Sequence, residues 1–432
     1  MRKPKSKGLL YAYYGDDFTG STDVLEALAL HGVPAVLFTH LPDERSLKAF
    51  AGCRAIGIAG ESRSRNRAWM NRHLPPVFAA LRALRAPVNH YKVCSTFDSS
   101  PRIGSIGRAM ELGIESFRLE FAPIVVGAPH LGRYVAFGNL FADAHGAVHR
   151  IDRHPTMRQH PVTPMNEADL RLHLAGQTPM RIGMVDLQAL QEGSARKRLR
   201  AELAAGAKAV LFDGIDDAML DTTAQLVWEQ AIKRPVFAVG SSGLAHGLLR
   251  HWRRLGLIGE SPALAAPAAA ERILVLSGSC SPVTARQIRW ARQHGFETRL
   301  LQDPKDWGAQ TRKALEALAR GESVVLYTAL GPESVNGRER YDKAYSMALG
   351  DRLREMLLVS GVRRILIAGG DTSTHAVRQL GLSALTFAAP LAPGAPLCRG
   401  HAAGSPLDGL ELVLKGGQIG FEEFFAQVRD GR

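Results

Sequence analysis

The sequence predicts an α/β fold in two domains, each a mostly parallel sheet flanked by helices. Three observations predict it. Short apolar runs alternate with amphipathic stretches along the 432 residues, the pattern of parallel strands covered on both faces. An Ala/Pro-rich seam, Gly259-Glu-Ser-Pro-Ala-Leu-Ala-Ala-Pro-Ala-Ala-Ala270, is uncharged after Glu260 and lacks an amphipathic period, so it reads as a linker. Beyond the seam, a strand, a small-residue loop and a helix recur in that order three times. The domains expected are residues 1–255 and 272–432, joined by 256–271.

The first strand is Gly8–Tyr14. It runs into Gly-Asp-Asp-Phe-Thr-Gly-Ser-Thr22, with Asp16 and Asp17 at its carboxyl end, where open α/β sheets place chemistry. A helix is expected from Ser21 to His31. Val24, Leu25, Leu28 and Ala29 form its apolar face, and Gly32 with Pro34 stops it. Further strands are Ala35–Phe38, Ala55–Ala59, His90–Val93, Ile124–Gly127, Ile182–Val185, Ala209–Phe212 and Val236–Val239. Helices fall at Asn66–Leu84 and Ile103–Leu112. The stretch Ala128–Pro164, rich in Gly, His and Pro, reads as irregular loops. Asp213, Asp216 and Asp217 read as a solvated loop.

In the second domain, Ile273–Leu276 leads to Ser277-Gly-Ser-Cys-Ser281 and a helix from Pro282. Ile365–Ala368 leads to Gly369-Gly-Asp-Thr-Ser-Thr374 and a helix to Leu380. Leu412–Leu414 leads to Lys415-Gly-Gly-Gln-Ile-Gly420 and a helix from Phe421. Helix N-termini carry unpaired N–H groups and positive dipole ends, and glycine lets a phosphate approach the backbone. Three such loops, one with a lysine, point to nucleotide phosphates. None is a Walker A loop or a dinucleotide fingerprint. A fourth loop, Gly240-Ser-Ser-Gly243, precedes the linker and reads equally as a turn.

A formal net charge of +13 with 46% hydrophobic residues fits a globular chain that attracts anionic small molecules. No Lys/Arg block calls for nucleic acid. No apolar run reaches membrane-spanning length. The four cysteines lie far apart, which suits a reducing cytoplasm. Cys94 and Cys280 have no His nearby in sequence, so a thiol nucleophile is not expected. His130, His145, His149, His154 and His160 share no metal-pair spacing and read as loop histidines.

The second N-terminal constellation is His90-Tyr-Lys-Val-Cys-Ser-Thr-Phe-Asp-Ser-Ser100. A cation, Lys92, beside Ser95, Thr96, Asp98 and Ser99 suits a polyol bearing a carboxylate. Arg63 and Arg65 follow another strand, and Arg grips a carboxylate in a bidentate way.

Taken together and in order, Gly15-Asp-Asp-Phe-Thr-Gly-Ser21, Lys92-Val-Cys-Ser-Thr-Phe-Asp98, Ser277-Gly-Ser279, Gly369-Gly-Asp-Thr372 and Lys415-Gly-Gly417 resemble the four-carbon acid sugar kinases. The resemblance implies an N-terminal acid-sugar domain and a C-terminal nucleotide domain. It implies ATP-dependent phosphorylation, with Mg²⁺, of threonate, erythronate, 3-oxo-tetronate or the branched 3-oxo-isoapionate. Carried over by position, Asp16, Arg63, Lys92, Val93, Cys94, Ser95, Thr96 and Asp98 would bind the sugar acid. Ser277, Ser279, Gly369, Gly370, Asp371, Thr372, Lys415, Gly416, Gly417 and Gln418 would bind ATP. Lys92 and Arg63 would hold the carboxylate. Asp17 is taken first as the catalytic base, with Asp16 the alternative; no metal ligands are assigned. The expected partners are the sugar acid and ATP/ADP. A homodimer, with domain exchange allowed by the linker, is expected. A metabolite sensor and a nucleotide-dependent oxidoreductase are the competing classes.

Overall fold

The structure is a computed structural model that describes residues 8–144, 146–160, 162–331 and 343–432. Its strands, in chain order, are β1 (Tyr11–Gly15), β2 (Ala35–Phe38), β3 (Ala55–Ala59), β4 (Val88–Lys92), β5 (Ala122–Val125) and β6 (Arg133–Ala136). Then come β7 (Asn139–Ala144), β8 (Ala147–Arg150), β9 (Ile182–Val185), β10 (Ala209–Phe212), β11 (Val236–Gly240) and β12 (Leu274–Ser277). The last are β13 (Glu297–Leu300), β14 (Val324–Tyr327), β15 (Arg364–Ala368), β16 (Ala384–Ala392), β17 (Ala395–His401) and β18 (Glu411–Lys415).

The chain forms two compact units. The first holds residues up to Asp16, Ala27–Ala35 and Leu41–Pro262. The second holds Asp17–Glu26, Val36–His40 and Ala263–Arg432. Residues 259–270, the Ala/Pro-rich seam within the expected linker 256–271, have no regular secondary structure.

In the first unit seven parallel strands run in the order β3-β1-β4-β11-β5-β10-β9. Strands β1, β4 and β11 are buried at every position, which is why they read as continuous rather than alternating apolar runs. Helices Arg67–Ala83 and Ile106–Phe117 supply Met70, Leu74, Phe78, Ala109 and Met110 to a core with Tyr14, Tyr91 and Phe237.

Two expectations are corrected here. The stretch Ala128–Pro164 contains an antiparallel sheet, β6-β7-β8, not only loops. Its alternating burial covers Val135, Leu140 and Ala142, which join the core, while Gly132, Gly138 and Gly146 take positive φ where the strands turn. His149 lies in β8, and His145 lies outside the described residues. Asp213 is not a solvated residue either. It is fully buried and accepts the N–H groups of Phe137, Gly138 and Leu187 at 2.6, 2.9 and 2.9 Å. Asp216 caps helix Asp217–Ala231 through the Met219 N–H.

The second unit has the strand order β13-β14-β12-β15-β18-β17-β16-β2. Strands β13, β14, β12, β15 and β18 are parallel. The β16–β17 hairpin is antiparallel, and β2 pairs with β16 through Ala384–Phe38 and Leu385–Leu37. Strands β13, β14, β16 and β17 were not read from the sequence. Both ends of β16–β17 are polar or Pro-containing, and its bulges break a period of two.

The helix after β1 spans Phe18–Leu30 and so begins earlier than Ser21. Asp17 Oδ1 accepts the Gly20 N–H at 2.6 Å, the capping bond of a helix N-terminus. The Ser21 and Thr22 hydroxyls donate to the Asp17 and Thr19 carbonyls at 2.6 and 2.9 Å. These bonds hold in a helix a Thr-Gly-Ser-Thr run that composition alone assigns to a turn.

Candidate functional site

In the first unit the site residues come from the carboxyl ends of β1, β3 and β4. Parallel register sets Gly15 beside both Ala59 and Lys92, so the residues that follow emerge on one edge. The Asp16 N–H donates to the Lys92 carbonyl at 2.9 Å, and the Arg63 N–H donates to the Asp16 carbonyl at 3.2 Å. Asp16 and Lys92 are 4% and 2% exposed, so both side chains are shielded from bulk water. The Lys92 ammonium donates to the Val93 carbonyl at 3.0 Å. The Val93 side chain lies in the apolar core, which leaves only its backbone for a ligand. Cys94 and Ser95 are half-buried.

Asp98 is the electrostatic centre of the loop. Arg63 Nη2 donates to both its oxygens, at 2.9 and 3.0 Å. Thr96 and Thr163 donate their hydroxyls at 2.6 and 2.9 Å. Burial opposes ionisation, but Arg63, His160 and the two hydroxyls outweigh it and hold the carboxyl well below its ordinary range. A carboxylate so engaged is a poor base, and the charge of Arg63 is largely spent on it. Phe97, between Thr96 and Asp98, is buried with φ 55°. A bulky side chain in the left-handed region is strained; here it lets the residues on either side turn their polar groups the same way. Below the loop, Ser99 Oγ lies 2.8 Å from His173 Nε2, and Gln177 donates to Ser99 at 2.9 Å. Burial pushes His173 down to about 4, so this is a neutral imidazole in a satisfied polar core.

In the second unit the three small-residue loops converge. The Gly278 N–H donates to the Ala368 carbonyl, and the Gly369 N–H to the Lys415 carbonyl, both at 3.0 Å. A Cβ on Gly278 would stand 1.9 Å from Thr372 Oγ1; one on Gly417 would stand 2.9 Å from Ser279 Oγ. Gly369 has φ 113° and opens helix Gly370–Gln379. Ser277 is fully buried, and its Oγ has no hydrogen-bond partner among the described residues. Gln418 is exposed. The backbone of Asp371 is described, but its side chain lies outside the described residues.

Lys415 is fully buried and donates to Thr284 Oγ1 at 3.0 Å, while Thr284 donates to the Gly417 carbonyl at 3.0 Å. Burial pushes its ammonium down to about 7. Asp17 belongs to this unit. Its Oδ2 lies 3.4 Å from where a Gly370 Cβ would stand, and the Phe18 N–H approaches Thr374 Oγ1 at 3.4 Å.

The structure therefore gathers Asp16, Arg63, Lys92, Thr96 and Asp98 in one unit. It gathers Asp17, Ser277, Ser279, Gly369, Gly370, Thr372, Lys415 and Gly417 in the other. Sequence reasoning missed Thr163, His160 and Thr284. Thr163 and His160 lie far along the chain from Asp98, and no local pattern marks them. Thr284 could have been suspected, since it faces the helix N-terminus one turn after Ser281.

Comparisons with known proteins also divide the chain in two, with Asp17–Glu26 and Val36–His40 falling in the first match. A sugar-binding N-terminal domain matches residues 11–248, and a nucleotide-binding C-terminal domain matches residues 274–425. A 3-oxo-isoapionate kinase of Paraburkholderia graminis is 48% identical over 98% of this chain and 95% of its own length. A 3-oxo-tetronate kinase of Cupriavidus necator is 32% identical over 96% and 95%. A protein of Salmonella typhimurium with a solved crystal structure has a TM-score of 0.75 at 26% identity, covering 98% of this chain and 100% of that one. With both domains matched in order and relatives alike over nearly their whole length, the chain belongs to the four-carbon acid sugar kinase family and is an ATP-dependent sugar-acid kinase.

Proposed function

We propose that the chain phosphorylates the terminal hydroxyl of 3-oxo-isoapionate, or a closely related branched 3-oxo sugar acid. The observation that carries this is the 48% identity to a 3-oxo-isoapionate kinase, against 32% for the 3-oxo-tetronate kinase of Cupriavidus necator. Both this acid and ATP are anions, which accords with the net charge of +13.

Phosphoryl transfer depends on positioning and on neutralising charge. Lys92 and the Arg63–Asp98 pair orient the sugar acid's oxygens. Asp16, which shares backbone bonds with Lys92 and Arg63, accepts the proton of the attacking hydroxyl. This reverses the first choice of Asp17, whose Oδ1 is engaged with the Gly20 N–H. The Ser277–Ser279, Gly369–Thr372 and Lys415–Gly417 loops hold the nucleotide phosphates. Hard carboxylate oxygens suit Mg²⁺, and Asp17, beside Gly370, is the residue that would hold it. When bound, that ion supplies charge neutralisation at the phosphates. ATP as co-substrate and four free cysteines support a cytoplasmic location; among the described residues no helix is long and apolar enough to cross a membrane.

The test is release of ADP from ATP on addition of 3-oxo-isoapionate, 3-oxo-tetronate, threonate and erythronate. The reading expects the largest kcat/KM for 3-oxo-isoapionate. Preference for 3-oxo-tetronate would move the substrate assignment, and no ADP release with any acid would overturn the kinase reading.

A further inference from the structure

The Gly240-Ser-Ser-Gly243 loop is absorbed by neither ligand in the reading above. It follows β11, which lies between β4 and β5, so the loop leaves the sheet edge next to Lys92. Gly240 is in register with Lys92, and its carbonyl accepts the Val93 N–H at 2.8 Å. On the other side the Ser241 N–H donates to the Val125 carbonyl at 2.9 Å. A Cβ on Gly243 would stand 1.8 Å from the Gly127 carbonyl. The loop is thus wedged against both neighbours and held rigidly.

It opens the helix Gly243–Arg254, 12 residues long. The first-turn amides of a helix have no partner within it; here the Gly243 N–H is taken by Ser241 Oγ at 3.1 Å. Ser242 stands at the cap position but does not cap: its side chain makes no bond to the first turn. It is 0% exposed, and its Oγ has no hydrogen-bond partner among the described residues. A buried hydroxyl left unmatched is costly, and such a group in a native protein calls for an explanation. On the same first turn, the His246 ring lies 4.0 Å from that of His130, centroid to centroid, at the end of the loop after β5.

An orphaned, fully buried hydroxyl at a helix N-terminus favours an anion, and His246 stands on the same first turn. Arg63, one of the two expected carboxylate clamps with Lys92, is offset by Asp98. The loop lies within residues 11–248, the stretch that matches a sugar-binding domain, and outside the stretch that matches a nucleotide-binding one. We propose that the Gly240–Gly243 loop and the first turn of helix Gly243–Arg254 bind the carboxylate of the sugar acid through Ser242 and His246; this rests on the sugar-acid kinase reading.

The test compares wild type, Ser242→Ala and His246→Gln, with 3-oxo-isoapionate and with erythrulose, a neutral ketose that lacks the carboxylate. Ser242→Ala should raise KM for the acid roughly tenfold or more, the scale of a hydrogen bond to a charged group. KM for ATP should not change, and neither should binding of erythrulose, read by thermal shift. The melting temperature of the free Ser242→Ala protein should hold or rise, since an unmatched buried hydroxyl is gone. His246→Gln should weaken the acid selectively as well. An unchanged KM for the acid in both variants overturns the proposal. So does an equal loss of erythrulose binding, or a lowered melting temperature of free Ser242→Ala, which would make the hydroxyl structural. If wild type releases no ADP, the kinase reading fails by itself, and the acid's own thermal shift in the three proteins still decides the subsite.

Discussion

Asp16 and Asp17 are adjacent in the chain and different in surroundings. Asp16 is tied by its backbone to Lys92 and Arg63, while Asp17 caps a helix and lies beside Gly370. Asp16→Asn should therefore lower kcat at least about 10²-fold, the lower end of general-base contributions, with KM for ATP little changed. Asp17→Asn keeps a good capping residue, so it should fold normally and raise the Mg²⁺ concentration needed for half-maximal rate. A pre-steady-state comparison of the two variants checks this assignment; a larger kcat loss in Asp17→Asn would reverse it. Lys415 gives a pH signature. Burial lowers its pKa to about 7, so above that pH the free protein carries it neutral. An adjacent phosphate favours the ammonium, so nucleotide binding should take up a proton, and affinity should fall as pH rises from 7 to 9. The limit is about tenfold per pH unit. Calorimetry of ATP-analogue binding in buffers of different ionisation enthalpy should show this uptake in wild type and not in Lys415→Met.

At the scale of elements, the three small-residue loops of the second unit pack by close approach. Gly278→Ala would place a methyl 1.9 Å from Thr372 Oγ1, forcing apart two loops that share backbone bonds. It should weaken ATP-analogue binding severely while leaving sugar-acid binding in place, as read by thermal shift with each ligand separately. The helix Phe18–Leu30 carries a second pH-dependent group. Glu26 accepts the Gly394 N–H at 2.7 Å and is raised from 4.5 to about 8, chiefly by burial, with Asp23 adding to the effect and the Gly394 bond opposing it. The folded protein therefore keeps a proton that the unfolded chain loses above pH 4.5. This contribution to stability is fully present below that pH and is lost as pH rises through about 8. Within that window it amounts to at most about 1.4 kcal/mol per pH unit. Glu26→Gln should flatten the dependence, checked by urea unfolding of both proteins at pH 5 and pH 8.

At the scale of the molecule, the linker is not the whole story of how the chain divides. The chain passes from the first unit to the second between Pro262 and Ala263, yet Asp17–Glu26 and Val36–His40 group with the second unit. Strand β2, from that N-terminal part, pairs with β16. A fragment of residues 272–432 would lack it and leave β16 with an unpaired edge, a template for aggregation. It should express less soluble and unfold less cooperatively than the full chain, which circular dichroism and light scattering would show. A well-behaved fragment would mean that β2 contributes little. The same light-scattering measurement on the full chain tests the homodimer expected from the linker.

Much of this protein was legible in its sequence because the information was local. Strand β1, the acidic pair, the three small-residue loops and the seam at 259–270 are short patterns whose physics is contained within a dozen residues: burial on both faces, glycine where a backbone must come close, charge at a strand end. What tertiary structure alone decided is long-range. Asp98 became the partner of Arg63 and Thr163 rather than of solvent. Lys415 became a buried cation beside Thr284, and Asp213 a buried acceptor for three backbone amides. Asp16 and Asp17 fell to different units. Desolvation and pairing depend on groups tens or hundreds of residues away, and neither leaves a trace in residue order.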